Sequence, residues 1–341
     1  MTAVSSSTIT GVHPLWGVEG GRVTVAGRGF DVDPRLAEVT FAGVPARISR
    51  ATPGSLTAVI PGALEGGRTP VRVSSVPGET AYVEIGAPLA TGVHQVDNPL
   101  FDGEGNLFVT FSGTRGQQAP VSIYVVRPDG SREPYVSNVA NPTSMAIGPD
   151  GALYVSSRFD GSVYRVDARG TARPFAEDLG VPCGIAFDGE GRLYVGDRSG
   201  SILRVADGQV TLLASIPPSV AAFHLAFGPD DCLYVSAPSL SPRDVVYRVP
   251  PSGRVETCCE GFGRPQGLAF DADGKLYVVD AVAGDSAVYR IDPARPAERE
   301  RVLVGGSLLG LAFDPRGGLA LASNDTVYRL ECDLRPLAAA A

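Results

Sequence analysis

The sequence has one lysine among its 341 residues, and arginine supplies nearly all of its positive charge. Acidic residues outnumber basic residues by 37 to 29, which gives a formal net charge of −8 at pH 7. Proteins that bind nucleic-acid backbones carry a strongly basic surface. The charge balance therefore excludes nucleic acid as the expected partner.

Five cysteines are present, and none has the CxxC pairing or the ligand spacing of a zinc site. An odd number leaves at least one thiol outside any disulfide within the chain. We therefore expect free thiols in a reducing compartment. The cysteines are Cys183, Cys232, Cys258, Cys259 and Cys332.

No apolar run approaches the roughly 20 residues of a membrane-spanning helix. The first residues, MTAVSSSTITG, have neither the basic nor the apolar region of a signal peptide. The sequence as written predicts a cytoplasmic protein without a membrane span, and an extracellular location would require a misassigned start codon. The nucleotide-binding loop GxxxxGK[ST], the dinucleotide motif GxGxxG and the hydrolase motif GxSxG are also missing.

Glycine (42 residues) and proline (28 residues) are abundant, which favours many turns between short strands over helices. Within residues 8–86, alternating runs such as 22–26 and 71–74 are typical of half-buried strands. About seven such strands within about 80 residues predict a small immunoglobulin-like sandwich. Residues 1–7 are predicted to be a disordered N-terminus.

Several short motifs are spread along this sandwich segment. They are the Gly-Gly pair at 20–21, the Gly-x-Gly-Phe run at 27–30, the Val-Thr-Phe run at 39–41 and the Ile-Pro pair at 60–61. With these motifs the segment resembles the IPT/TIG domain family. The resemblance implies an accessory binding or spacer module.

Residues 86–332 contain six copies of one pattern, at spacings of 46, 40, 40, 43 and 43 residues. Each copy has an apolar strand, a tight turn, a second strand, a loop and then further strands. Six repeats of four strands predict a six-bladed β-propeller. The equivalent residues at the end of each first strand are Phe101, Ile147, Phe187, Phe227, Phe270 and Phe313.

The last repeat stops after its third strand, and a matching fourth strand precedes the first repeat. Residues 86–102 align without a gap on residues 172–188, so a strand at about 86–93 is expected to complete the sixth blade. A solenoid of stacked repeats would leave this strand without a partner. The predicted fold is all-β, with an IPT/TIG sandwich at 8–86, a closed six-bladed propeller at 87–334 and a disordered tail at 335–341.

The run Gly-Ile-Ala-Phe-Asp at residues 184–188, followed by Leu-Tyr-Val-x-Asp, is similar to NHL-repeat propellers and to the gluconolactonase and senescence-marker (SGL) family. That resemblance implies lactone hydrolysis with a divalent cation held by a Glu, two Asn and an Asp at the channel mouth. The equivalent positions here are Asp97, Thr143, Cys183, Phe223, Gln266 and Leu309. Because Cys, Phe and Leu do not bind a hard cation, we predict no metal and no cofactor, and a divalent cation belongs only to a lactonase interpretation.

The loops that follow the second strands overhang the same channel mouth, and those of repeats one and four are long. Asp197 and Asp280 end second strands, and we expect them to bond loop amides. Arg158 and Arg198 add positive charge. The sequence predicts that a small polar ligand, or a protein or peptide, binds at this mouth. The candidate binding residues are Asp97, Thr143, Cys183, His224, Gln266, Asp197, Asp280, Arg158 and Arg198.

The favoured function is therefore a propeller-based binding protein with the sandwich as an accessory module. One alternative is a gluconolactonase-like hydrolase with a site rebuilt around Asp97, Cys183, His224 and Gln266. Another is a surface or adhesion module, which requires an export signal. A softer ion would suit Cys183 and His224 if a carboxylate such as Asp97 or Asp197 joined them. Catalytic residues and the oligomeric state stay open.

Overall fold

The computed structural model describes residues 7–33, 37–116, 119–221 and 223–337. Within these ranges the chain forms 33 strands and no helix, so the all-β prediction is confirmed. The predictions for residues 1–6 and 338–341 lie outside the described residues. The first nine strands are β1 (Thr8–His13), β2 (Trp16–Gly17), β3 (Arg22–Arg28), β4 (Val39–Phe41), β5 (Val44–Ala46), β6 (Ile48–Thr52), β7 (Ser55–Val59), β8 (Gly67–Val73) and β9 (Ala81–Ile85).

These nine strands form an immunoglobulin-like sandwich. One sheet has the order β1-β3-β7-β6, and the other contains β2-β9-β8-β4-β5. Strand β3 shows why the sheets pack: its alternate residues Val23 and Val25 are fully buried, while the residues between them are partly exposed. They meet Phe41, Leu56 and Val71 in one apolar core between the sheets.

Six four-stranded units follow, as the repeat predicted. Strand β10 (Ala87–Thr91) leads into them. Blades one to three comprise β11 (Leu100–Phe101), β12 (Leu107–Thr110), β13 (Ile123–Val126), β14 (Arg132–Val136); β15 (Pro142–Ile147), β16 (Leu153–Ser157), β17 (Ser162–Val166), β18 (Ala172–Ala176); β19 (Pro182–Phe187), β20 (Leu193–Asp197), β21 (Ser201–Ala206), β22 (Gln209–Ser215). Blades four to six comprise β23 (His224–Phe227), β24 (Leu233–Ser236), β25 (Asp244–Val249), β26 (Glu256–Phe262); β27 (Pro265–Phe270), β28 (Leu276–Asp280), β29 (Ala287–Ile291), β30 (Arg299–Val304); β31 (Leu308–Phe313), β32 (Leu319–Ser323), β33 (Thr326–Leu330).

The sixth blade is closed by the strand that precedes the first. Strand β10 pairs antiparallel with β33, with Ala87 opposite Arg329 and Thr91 opposite Thr326, and the sheet order is β10-β33-β32-β31. This pairing confirms the predicted closure. A closed ring has no free sheet edge between its first and last blades, so the repeats form one cooperative unit.

The turns between first and second strands are stabilised by aspartate. In the turn of blade one, Asp102 Oδ1 accepts the amides of Glu104 and Asn106 at 2.9 and 2.8 Å. Asp271 makes the same bonds in blade five, at 3.0 and 2.8 Å, so its Asp-Ala-Asp-Gly run is a turn. We call the propeller face that carries these turns the hairpin face and the opposite face the loop face.

An aromatic ladder joins neighbouring blades. Tyrosines of second strands meet the phenylalanine that ends the first strand of the next blade, edge to face, with ring centroids 4.8–5.0 Å apart. The ladder pairs Tyr154 with Phe187, Tyr194 with Phe227, Tyr234 with Phe270 and Tyr277 with Phe313. A tyrosine of a third strand also packs between blades, since Tyr289 of blade five meets Phe262 of blade four with ring centroids 6.0 Å apart.

The sandwich and the propeller share a sheet. The two-residue strand β2 lies parallel between β9 of the sandwich and β30 of blade five, which creates a nine-stranded sheet across both domains. Ala287 and Val304 of blade five belong to the sandwich core. Because Gly86 alone separates β9 from β10, the sandwich is also linked directly to blade six.

At the C-terminal end, residues 335–337 lie against blade five. Ala272 donates its amide to Arg335 O at 2.9 Å, and Leu337 donates its amide to Phe270 O at 3.1 Å. The sequence placed these residues in the tail. Among the described residues, no helix has the length and apolarity needed to cross a membrane.

Candidate functional site

The residues predicted to ring the channel mouth lie at the loop face, where each first strand begins. Five of them are deeply buried: Thr143 and His224 are 0% exposed, Cys183 and Gln266 are 2% exposed, and Asp97 is 3% exposed. They therefore lie beneath the loops. The structure brings Asp97, His224 and Gln266 into one hydrogen-bonded group, which we call the inner network.

His224 is the centre of the inner network. Its Nδ1 is hydrogen-bonded to Asp97 Oδ1, and its Nε2 lies 3.0 Å from Gln266 Oε1. Asp97 precedes blade one and His224 begins blade four, so their contact crosses the channel. Asp97 Oδ1 also accepts the amide of Asn98 at 2.6 Å. The inner network thereby closes the channel at the loop face.

The charge state of His224 follows from two opposing effects. Burial alone would lower the pKa of His224, but the Asp97 carboxylate and the hydrogen bonds to Asp97 and Gln266 outweigh it and raise the pKa. When both ring nitrogens carry protons, one donates to the carboxylate and the other to the amide oxygen. The raised pKa of His224 favours an imidazolium–carboxylate pair at the centre of the inner network.

This raised pKa predicts a pH-dependent stability. Below about pH 6.5, the ordinary pKa of histidine, both folded and unfolded states hold the proton and the stabilisation is complete. Above it the unfolded chain loses the proton first, so the free energy of unfolding should fall, by at most about 1.4 kcal/mol per pH unit, until the folded-state pKa is passed. Urea denaturation of the wild type and His224→Gln at several pH values above this point measures the difference. Equal slopes would contradict the ion pair.

The titration of His94 does not interfere with this measurement. Its pKa is lowered, mainly by burial and also by the charge of Arg158. A lowered histidine pKa affects stability below the ordinary value, because there the unfolded chain holds more protons than the folded chain. The two histidines therefore act in different pH windows.

Thr143 and Cys183 are satisfied locally. Thr143 Oγ1 donates to Asn141 O at 3.2 Å, and Cys183 Sγ lies 3.4 Å from Val181 O. Burial is the main cause that raises the pKa of the Cys183 thiol to about 11. The thiol is therefore protonated at neutral pH and is a poor nucleophile.

Asp197 and Asp280 hold the loops that lead into blades three and five. Asp197 Oδ1 accepts the amide of Val181 at 2.7 Å, and its Oδ2 accepts the hydroxyl of Ser199. Asp280 accepts the amides of Gly263 and Arg264 at 3.1 and 2.7 Å. Both carboxylates bond loop amides, as expected from their place at strand ends.

Three arginines gather above the inner network on the loops of blades one to three. We call Arg115, Arg158 and Arg198 the arginine cluster. Burial, and then the nearby charges of Arg198 and Arg115, lower the pKa of Arg158. In the described part of the chain, none of the three forms an ion pair with a carboxylate. The cluster is an uncompensated positive patch.

Arg158 is partly buried and incompletely bonded. Its Nη2 donates to Ser112 Oγ at 3.2 Å, while its buried Nε has no hydrogen-bond partner among the described residues. Buried donors without a partner are rare in folded proteins. Arg198, by contrast, is anchored by carbonyls, with Nη2 2.9 Å from Val220 O. The guanidinium of Arg158 is therefore incompletely bonded, and its Nε is enclosed by the protein.

Arg115 was not among the candidates from the sequence. It lies on the long loop of blade one, which Asn141 organises by accepting the amide of Gly116 at 2.7 Å and donating to Thr114 O at 2.9 Å. Asn141 adopts φ +45°, a conformation that asparagine tolerates well. The sequence shows that this loop is long. The length of a loop does not predict where one of its side chains lies, so Arg115 was not identified.

The residues at the channel mouth do not fit the divalent cation of the lactonase resemblance. Among the described residues, no group of three or more His, Cys, Asp or Glu side chains could hold a metal ion. Asp97 is committed to His224 and to the amide of Asn98. Phe223 occupies a ligand position and is fully buried in apolar surroundings.

Comparison with known proteins identifies the sandwich. The model of the IPT/TIG domain family matches residues 7–83. The sandwich is an IPT/TIG domain. A shorter match, to the N-terminal part of strictosidine synthase-like proteins, covers residues 181–205 in blade three. None of the curated proteins compared with the chain matches it.

Solved structures have folds similar to most of this chain. A gluconolactonase from Xanthomonas campestris is 16% identical and covers 84% of this chain and 95% of its own, with a TM-score of 0.61. An auxiliary nutrient binding protein from Bacteroides ovatus is 15% identical over 96% of this chain and 98% of its own, with a TM-score of 0.55. Virginiamycin B lyase from Staphylococcus aureus is 15% identical over 71% of this chain and 97% of its own, with a TM-score of 0.51. The propeller therefore has a gluconolactonase-like fold.

Proposed function

We propose that the protein is a binding protein whose propeller recognises a carboxylate-bearing ligand at the loop face, with the IPT/TIG domain as a rigid accessory module. The arginine cluster, in which no member forms an ion pair among the described residues and Arg158 is incompletely bonded, carries the proposal. A planar guanidinium fork matches a carboxylate with two parallel hydrogen bonds. A ligand of this kind supplies the negative charge that the cluster lacks.

Two exposed apolar side chains near the cluster suit a peptide-sized ligand. Phe159 follows Arg158 in the chain and is 53% exposed, and Leu240 on the long loop of blade four is 90% exposed. The loop that carries Leu240 is held by Asp244, which accepts the amide of Ser239 at 3.0 Å. Exposed apolar side chains beside arginine are typical of recognition surfaces. An acidic segment with an apolar residue would contact both features.

The direct test is the affinity for a fluorescein-labelled hexaglutamate peptide, measured by fluorescence anisotropy at low salt with citrate as competitor. We expect Arg158→Ala to weaken binding about tenfold, because a charge-assisted bidentate contact is lost. The substitution of all three cluster arginines should abolish binding. Displacement by citrate would indicate that carboxylates alone suffice, and resistance to citrate would indicate that the peptide chain is needed.

The matched control is Arg173→Ala on β18, an exposed arginine on the outer strand of blade two. It removes the same charge far from the channel mouth, so binding should change by less than about twofold. Equal losses for Arg158→Ala and Arg173→Ala would show that the peptide responds only to net charge, and the proposed site would be wrong.

Lactone hydrolysis is the second candidate, and the similarity to a gluconolactonase fold supports it. The committed hydrogen bonds of Asp97 and the protonated thiol of Cys183 argue against it. Hydrolysis of gluconolactone is measured with and without a chelator. Turnover that the chelator removes and Arg158→Ala preserves would favour the enzyme over the binding protein.

A further inference from the structure

A second concave region lies on the opposite face from the arginine cluster. A cavity of about 840 Å³ opens on the hairpin face, and its wall is made by the first strands of the blades. At one equivalent position in blades two to six, a large apolar side chain that is at most 8% exposed lines the cavity, and the alanine that follows it also lines the cavity. These large side chains are Met145, Ile185, Leu225, Leu268 and Leu311.

The inner end of this cavity is closed by Asn98. Its Nδ2 donates to Leu268 O at 3.0 Å, and its Oδ1 accepts the amide of Leu311 at 3.0 Å, so the side chain joins blade one to blades five and six across the channel. With the inner network behind it, Asn98 separates the cavity from the loop face. The cavity is therefore a site distinct from the arginine cluster.

The charge at the cavity mouth is negative. No lysine, arginine or histidine lines the cavity, whereas Asp102, Asp188 and Asp231 do. Asp188 Oδ2 lies 2.6 Å from Arg192 Nε in an ion pair, and Asp102 accepts hydrogen bonds from the amides of its turn. Asp231 makes no ion pair within the described residues. Such a mouth repels anions and tolerates neutral or cationic groups.

We propose that the cavity binds a predominantly apolar small molecule that carries no negative charge. Its volume lies within the range of ligand-binding clefts, roughly 300–1,000 Å³. Burial of apolar ligand surface against the alanines of the wall and the partly exposed Ile147, Phe187 and Phe227 supplies the driving force. The Pro336–Leu337 segment, held by the bond from Leu337 N to Phe270 O, borders one side of the mouth. This site is independent of the function proposed for the loop face.

The test uses two fluorescent probes with one scaffold. N-phenyl-1-naphthylamine is neutral, and 1-anilinonaphthalene-8-sulfonate adds one negative charge. With the full-length chain we expect saturable binding of the neutral probe at one site and at least about tenfold weaker binding of the sulfonate. No saturable binding of the neutral probe, or equal affinities, would overturn the proposal.

Variants of the cavity wall test whether the neutral probe binds in the cavity. Ala226→Leu and Ala269→Leu add side-chain volume to the cavity wall and should weaken binding of the neutral probe at least about tenfold. Leu240→Ser on the loop face is the control for probe bound to the other exposed apolar surface, and it should leave the affinity unchanged. Unchanged binding in the two filled variants, or loss of binding in Leu240→Ser, would show that the probe is elsewhere.

Asp231→Asn provides a test that does not depend on filling the core. Asp231 is exposed and adopts φ +57°, which asparagine also tolerates, so the fold should be retained. Loss of its charge should reduce the preference for the neutral probe over the sulfonate by about threefold. An unchanged preference would contradict the proposed role of the acidic mouth.

Discussion

Replacement of Asp97 by alanine is expected to lower the free energy of unfolding by about 3–5 kcal/mol, because it leaves a buried imidazole without its counter-ion. His224 is fully buried, and Asp97 is the only carboxylate in its hydrogen-bond group among the described residues. Removal of one partner of a buried pair strands the other charge in an apolar environment. Urea denaturation near neutral pH measures the loss.

Two comparisons separate this effect from a general loss of negative charge. Asp273→Ala removes an exposed carboxylate from a hairpin turn and should cost less than about 0.5 kcal/mol. The double variant Asp97→Leu/His224→Leu removes both charges and should recover about half of the lost stability. A cost below about 1 kcal/mol for Asp97→Ala would mean that the pair is not charged in the folded protein.

The repeats explain why so much of the propeller was predictable. Each blade is a local meander, so strand alternation and Asp-Gly turns specify it within about 40 residues. Closure was readable because residues 86–102 align without a gap on residues 172–188. Structure adds only the register, Ala87 opposite Arg329.

The contacts that could not be predicted join residues distant in sequence. Asp97 and His224 each occupy a repeat position, but repeat alignment does not show that their side chains meet across the axis. Strand β2 has two residues, too few for any periodic signal, and it pairs with β30 near the other end of the chain. Both the second and the third strands carry a tyrosine in several repeats. The repeat pattern alone therefore does not show which tyrosines form the aromatic ladder.

The shared sheet leads to the second large effect, which is expected from Gly21→Ala. A methyl group at Gly21 would lie 2.7 Å from both C and O of Val304 and 2.9 Å from Gly305 N, all of them backbone atoms. The turn that follows β2 would have to move away from blade five, and the bond from Val18 N to Val304 O, now 2.9 Å, would lengthen. We expect a loss of about 1–3 kcal/mol in the free energy of unfolding.

The single tryptophan makes this change directly observable. Trp16 lies in β2 and is paired with Leu303, so its fluorescence reports on the junction, whereas far-ultraviolet circular dichroism reports on all blades. In the wild type both signals should change at one urea concentration, because one sheet and one core span the two domains. In Gly21→Ala the fluorescence transition should occur at a lower urea concentration than the circular dichroism transition.

Gly54→Ala is the matched control. The nearest atom to its added methyl is 3.7 Å away, so both transitions should occur at the same urea concentration. If Gly21→Ala and Gly54→Ala behave alike, β2 does not couple the IPT/TIG domain to the propeller, and that domain is not a rigid accessory module.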